Sequence, residues 1–88
     1  MANIASQKKR NQRSLRERLE NRRRTSQVKT WFRRLQDAVD AGDGARADEE
    51  YREVLSRIDR AVKTGALHRN TGARRKARAA RIHSKTAA

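Results

Sequence analysis

The feature that most constrains the fold of this chain is how little of it can interrupt a helix. Its 88 residues include no proline, and the four glycines occupy positions 42, 44, 65 and 72. Arg, Ala, Leu and Glu, which favour helices, are abundant. No stretch alternates apolar and polar residues as a half-buried strand would. The sequence therefore predicts an all-α fold whose helices are separated near the glycines.

The spacing of apolar residues predicts a helical hairpin. The first helix is expected from near Ser6 to near Ala41, and only its second half carries a continuous apolar stripe. The second is expected from about Gly44 to Thr64, with Asp43 as its N-cap. Because about 20 residues of helix span about 30 Å, the second helix covers only the latter part of the first, which must protrude.

A third, shorter helix is predicted to pack through small side chains. It is expected to begin near Asn70, acting as the N-cap, and to end at about Ser84. Its predicted packing face consists of Ala73, Ala77 and Ala80. Residues 85–88 are expected to be frayed.

The core available to these helices is small. The basic ends have no core of their own and are expected to order on contact with a partner. We predict one domain, residues 1–88, in which 1–27 form a basic helical extension and 28–84 form a three-helix bundle. The expected core residues are Val28, Trp31, Phe32, Leu35, Val39, Tyr51, Val54, Leu55, Ile58, Val62 and Leu67.

Charges of opposite sign are segregated along the chain. Residues 1–34 hold twelve Lys or Arg against two acids, residues 35–62 hold four against eight, and residues 63–88 hold eight against none. Charges that served solubility alone would be mixed throughout. Two cationic ends around an acidic centre, at a net charge of +14, are typical of a protein that binds a polyanion, nucleic acid above all.

The first basic segment predicts contacts on every side of a helix. Arg22, Arg23 and Arg24 are consecutive, so their side chains point about 100° apart around the axis. Such a rod suits a crevice between nucleic-acid helices better than a flat surface. The candidate nucleic-acid-binding residues of the first helix are Lys8, Lys9, Arg10, Arg13, Arg16, Arg22, Arg23, Arg24 and Arg34.

The remaining side chains that could take part in catalysis or ligand binding do not indicate an enzyme. Trp31 and Phe32 lie on the apolar stripe, which favours core positions over stacking on bases. His68 has two open interpretations, a phosphate donor or a cap for the loop. His68 and His83 lack zinc-ligand spacing, and there is no Cys. Without a nucleophile motif or Gly-rich phosphate loop, the sequence predicts no enzyme, no cofactor and no metal site.

Two segments carry a resemblance to a known family. Residues 1–10 (MANIASQKKR), together with residues 65–70 (GALHRN) and their continuation 73–78 (ARRKAR), resemble the signatures of bacterial small-subunit ribosomal protein S20. The central turn at residues 40–43 (DAGD) fits the same family. The chain departs from it at Gly72, where the family usually has Ala, and the C-terminal end matches poorly.

The resemblance implies a three-helix bundle with a protruding first helix, bound to 16S rRNA as an early assembly protein. It also implies a position at the bottom of the subunit body, bridging the 5′ domain of the RNA to the long helix of the 3′ minor domain. The RNA-facing residues that the two signatures imply are Asn3, Ser6, Lys8, Lys9 and Arg10 from the first, and His68, Arg69, Asn70, Arg74, Arg75, Lys76 and Arg78 from the second.

The leading hypothesis is thus a structural, RNA-binding constituent of the small subunit of the cytoplasmic ribosome. We expect few protein contacts, no membrane association, no homo-oligomer and a steep dependence of binding on salt. The alternative is a nucleoid-type DNA-binding protein, which would share the charge but needs a dimer surface or a groove-reading arm. A membrane-surface or calmodulin-target helix is disfavoured, because the basic ends lack an apolar face.

Overall fold

The computed structural model of the chain describes the backbone of residues 4–87 and the side chains of residues 7–86. Three helices, α1 (Ile4–Asp40), α2 (Gly44–Lys63) and α3 (Arg69–Ser84), are followed by a 3₁₀ turn (Lys85–Ala87). α2 folds back along the second half of α1, and α3 packs against both. The predicted all-α bundle with a long protruding N-terminal helix is confirmed.

The reversal between α1 and α2 is set by Gly42. Its φ of +71° is a left-handed conformation that side chains with a Cβ adopt only at a cost. The Gly42 amide donates to the carbonyl of Val39, and the Asp43 amide donates to that of Ala38, which together close the helix in a Schellman motif. Asp43 then caps α2, because its side chain accepts the amide of Arg46 at 3.1 Å, as predicted.

The core lies where the second half of α1 meets α2 and α3. Ten residues are buried in it: Val28, Leu35, Ala38, Ala47, Val54, Ile58, Ala61, Leu67, Ala79 and Ile82. Five predicted core residues only partly enter it, namely Trp31, Phe32, Val39, Tyr51 and Val62. Leu55 was predicted to be core but is half-buried outside this cluster.

The N-terminal half of α1 has no packing partner among the described residues. Every side chain from residue 7 to residue 20 is exposed, and Val28 is the first that is fully buried. The molecule is 66 Å long but only 21 and 13 Å across. The protrusion is therefore a single basic helix held at one end.

The predicted packing face of α3 is wrong. Ala73, Ala77 and Ala80 are exposed, whereas Gly72, Ala79 and Ile82 are buried. Alanines bury little surface and scarcely fix a helix's rotation. Ile82, the one large apolar residue of α3, turns the helix so that its own side chain enters the core.

The predicted N-cap of α3 is also wrong by two positions. The helix begins at Arg69, and His68 is its cap, with extended backbone and a ring Nδ1 that accepts the Asn70 amide at 3.1 Å. Asn70 therefore already lies within the first turn. Of the two interpretations left open for His68, the structure shows the cap.

The C-terminal end of α3 is tied to the start of α2 by His83. Its ring stacks on Tyr51, with centroids 4.3 Å apart and planes 11° from parallel. Its Nε2 lies 2.5 Å from a carboxylate oxygen of Asp48. Residues 85–87, expected to be frayed, instead continue α3 as the 3₁₀ turn.

Gly72 lets α3 approach α2 closely. A Cβ at this position would lie 2.5 Å from Cγ2 of Val62 and 3.5 Å from Cγ2 of Ile58. Val62 is β-branched and its χ1 angle is restricted within a helix, so its methyl group cannot simply rotate away. Gly72 thus serves as a packing residue between α3 and α2.

We expect Gly72→Ala to destabilise the bundle by about 1 kcal/mol, because the clash with Val62 exceeds the gain in helix propensity. In the Gly72→Ala background, Val62→Ala should cost less than in the wild-type chain, since it removes the clashing methyl group. Urea unfolding of the four proteins in this cycle measures the coupling. Additive free energies would contradict the close contact.

Candidate nucleic-acid interface

A strongly cationic groove lies between α1 and α3. Six basic side chains line it and Asp37 is the one acid in its lining. Phe32 and Ile82 contribute apolar surface, with Gln36 and Thr71 beside them. The basic residues of this α1/α3 groove are Lys29 and Arg33 from α1 and Arg74, Arg75, Arg78 and Arg81 from α3.

The groove holds its arginines without neutralising them. The Arg78 guanidinium lies 5.5 Å from the centroid of the Phe32 ring, a cation–π contact that orients the side chain and preserves its charge. Arg74 donates to the Thr71 hydroxyl at 3.4 Å. A guanidinium retains further donors in either arrangement, and its planar fork suits bidentate contacts to phosphate. The groove is therefore suited to bind the backbone of a nucleic acid.

A row of cations on α1 extends this surface toward the N-terminus. Arg18, Arg22, Lys29 and Arg33 follow one another at spacings of four, seven and four, which places them within about 60° of each other around the axis. All four are exposed. Lys29 and Arg33 belong to the groove, so the row and the groove form one continuous cationic face.

The basic side chains predicted on the first helix divide into free and engaged groups. Arg24 is half-buried and lies 3.6 Å from the carboxylate of Glu20, one turn earlier. Asn3 lies outside the described residues, as does the side chain of Ser6. Exposed along α1 are Lys8, Lys9, Arg10, Arg13, Arg16, Arg22 and Arg23.

Arg34 points to a different side of the bundle. Its guanidinium lies 4.5 Å from the Trp31 ring centroid, and that of Arg57 lies 5.4 Å from the same ring. Trp31 also borders a depression lined by Glu49, Glu50, Arg52 and Glu53. On this edge of the bundle three glutamates lie beside Arg34, Arg52 and Arg57, so its charges are balanced. The two faces of the bundle thus differ in charge.

The second signature is likewise divided by the fold. Arg74, Arg75 and Arg78 converge on the groove, with Arg75 half-buried. Lys76 instead pairs with Asp59 of α2. His68 caps the helix, and the neighbouring residues Arg69 and Asn70 are exposed without lining the groove.

Three of the six basic groove residues were not predicted, namely Lys29, Arg33 and Arg81. Lys29 and Arg33 could have been found from their helical spacing with Arg18 and Arg22. Arg81 could not, because its convergence with α1 depends on the rotation of α3.

The described residues offer neither a metal site nor a membrane span. No group of three or more His, Asp or Glu side chains among them is placed to hold a metal ion. None of the helices, over the residues described, is long and apolar enough to cross a membrane.

Comparison with known proteins identifies the family. The sequence model of ribosomal protein S20 matches residues 2–87. The chain is 47% identical over 88 residues to the small ribosomal subunit protein bS20 of Frankia casuarinae, covering 100% of this chain and 99% of the relative. It is 45% identical over 89 residues to the bS20 of Acaryochloris marina, covering 93% and 95%. For the bS20 of Corynebacterium efficiens the identity is 41% over 85 residues, covering 97% and 98%.

The match extends through α3, the region where Gly72 and the C-terminal end depart from the family pattern. It therefore covers both signature segments together with the hairpin that joins them. The chain belongs to the ribosomal protein S20 family and is a structural constituent of the small subunit of the bacterial cytoplasmic ribosome.

Proposed function

We propose that this chain binds 16S rRNA directly and joins separate RNA segments within the small subunit, a structural role without catalysis. The observation that carries the proposal is the α1/α3 groove, where two helices bring six cationic side chains together around a single carboxylate. The positive charge of such a groove suits the negatively charged phosphate backbone of a nucleic acid. Recognition through phosphates and backbone shape fits A-form RNA, whose deep groove hides the base edges.

The groove and the protruding half of α1 form two contact regions of one rigid element. From Leu15 to Arg33 is 18 residues of helix, or about 27 Å. An RNA segment seated in the groove and a second one along the protrusion would therefore be held at a fixed separation. As the two segments we propose the 5′ domain and the 3′ minor domain, which the sequence resemblance implies.

Within this proposal, residues 1–27 are the RNA-entering extension and residues 28–84 the bundle that positions it. The contacts assigned to RNA are the exposed basic residues of α1 other than Arg34, together with Arg74, Arg75, Arg78 and Arg81 of α3. Arg24, Arg34, Lys76 and His68 are engaged within the chain and are assigned lesser roles. We also propose that the chain is a monomer with few protein contacts. In the described region only two large hydrophobic side chains, Leu15 and Leu19, are exposed, which is little apolar surface for a protein interface.

Binding to isolated RNA domains tests the proposal. We expect the chain to bind transcripts of both the 5′ domain and the 3′ minor domain of 16S rRNA. A plot of log Kobs against log salt concentration should have a slope of about −5 or steeper, since each phosphate contact contributes about −0.7 to −0.9. Filter binding across a salt series provides the measurement.

The outcomes separate the candidate functions. Binding to one domain alone would remove the bridging role. Equal affinity for duplex DNA of matched length would favour the DNA-binding alternative. Failure to bind either transcript at moderate salt would contradict direct rRNA binding altogether.

A further inference from the structure

Among the described side chains of the protruding half of α1, two large apolar residues, Leu15 and Leu19, form a pair. Leu15 is 58% exposed and Leu19 is 54% exposed. Their spacing of four residues places them on one side of the helix, one turn apart. Exposed leucines are common singly, but an adjacent pair on a highly charged helix marks surface that a partner can cover.

The pair does not continue the stripe that packs into the core. Leu19 and Leu15 precede the buried Leu35 by 16 and 20 residues. At about 100° per residue, they lie about 160° and 200° around the axis from it. They face away from the core side of α1, so neither α2 nor α3 can cover them, and whatever covers them comes from outside the bundle.

Arginines flank the leucine pair on both sides. Relative to the line midway between the leucines, Arg18 and Arg22 lie about 40–80° to one side, and Arg16 and Arg23 lie about 60–80° to the other. All four arginines are exposed. The two acids of this segment, Glu17 and Glu20, point about 120–180° away. The surface is thus an apolar strip between two cationic rims.

We infer that this strip seats α1 in the shallow groove of an RNA duplex. The leucines would lie on the C–H faces of the riboses, while the two arginine pairs reach the phosphates of the two strands. This inference rests on the proposed function and adds how the protruding helix contacts its RNA.

Charge favours RNA over a protein as the occupant. A protein covering the leucines would also have to face four guanidinium groups and supply matching carboxylates. An A-form shallow groove is wide, displays its sugars and carries a phosphate strand along each edge. B-form DNA has a different groove shape, so the leucines should contribute little there.

Leu15→Gln/Leu19→Gln tests the inference, since glutamine matches leucine closely in helix propensity. Binding to deproteinised 16S rRNA should weaken about tenfold to thirtyfold, as expected for losing two apolar contacts. The salt slope should stay unchanged, because no phosphate contact is removed. The matched variant Leu15→Met/Leu19→Met should bind within about threefold of the wild type. On duplex DNA the glutamine variant and the wild type should bind alike.

Several results would overturn the inference. The first is wild-type affinity of the glutamine variant for 16S rRNA. The second is a flattened salt slope, which would mean that the helix was displaced and phosphate contacts were lost. The third is a wild-type dimer in sedimentation that the glutamine variant dissociates, which would show a second copy covering the leucines. If the wild type itself fails to bind 16S rRNA, the proposed function fails instead.

Discussion

Arg33→Gln/Arg74→Gln/Arg78→Gln should bind 16S rRNA about a hundredfold more weakly than the wild type at physiological salt, with the salt slope less steep by about two to three. All three side chains are exposed and line the α1/α3 groove. Each change removes one positive charge while leaving a side chain that suits a helix. Filter binding over a salt series measures the affinity and the slope together.

The matched control removes the same charge from another face. Arg46→Gln/Arg52→Gln/Arg60→Gln changes three exposed arginines of α2. If only net charge governs binding, the two triple variants will lose affinity equally. If the groove is the contact surface, the α2 variant will stay within about threefold of the wild type. Equal losses would therefore contradict an α1/α3 interface, even though the chain would still bind RNA.

The end of α1 and both ends of α2 could be predicted from the sequence because local chemistry sets them. Gly42 supplies the left-handed residue that ends α1, and Asp43 supplies the acceptor that starts α2. Gly65 follows α2 with a φ of +81°. Such signals act within a few residues, so a single sequence carries them.

The rotation of α3 could not be predicted, because it is decided by packing. The alanines of α3 would allow several faces of the helix to pack. Which face packs depends on the position of Ile82 in the core and on the close contact of Gly72 with Val62. A rotation of one residue position moves every side chain by about 100°. That rotation also decides which arginines of α3 face α1.

The positive charge of the candidate interface could be predicted from the sequence, but its location on the fold could not. The basic segments are evident from composition, yet the groove joins residues 29–37 to residues 71–82. The basic segments also include Lys76 and Arg34, which do not line the groove. Lys76 pairs with Asp59, and Arg34 stacks on Trp31. The ion pair of Arg24 could have been predicted, since Glu20 precedes it by one helical turn.

Leu35→Ala should leave the free chain largely unfolded at 25 °C. Leu35 is fully buried and is among the largest such side chains of the bundle. Truncating a buried leucine to alanine costs about 2–5 kcal/mol, whereas a core of this size rarely supplies more than about 3–5 kcal/mol of net stability. Self-repulsion at a net charge of +14 lowers that margin further at low salt.

Trp31, the only tryptophan of the chain, lies one turn before Leu35 and packs against the core, so its fluorescence reports on the bundle. In urea titrations without RNA, Leu35→Ala should lack the folded baseline that the wild type shows. Leu19→Ala makes the same chemical change in the same helix at an exposed position and should alter stability by less than about 0.5 kcal/mol.

Saturating 16S rRNA should restore part of the folded signal of Leu35→Ala, because a ligand that binds only the folded state at about 100 times its Kd adds about 2.7 kcal/mol. Rescue by RNA would show that the bundle is marginal alone and is completed by its partner. An unchanged urea midpoint for Leu35→Ala without RNA would contradict that view, since the core would then not limit the stability of the fold. A variant that stays unfolded with RNA would show that binding cannot offset the lost packing.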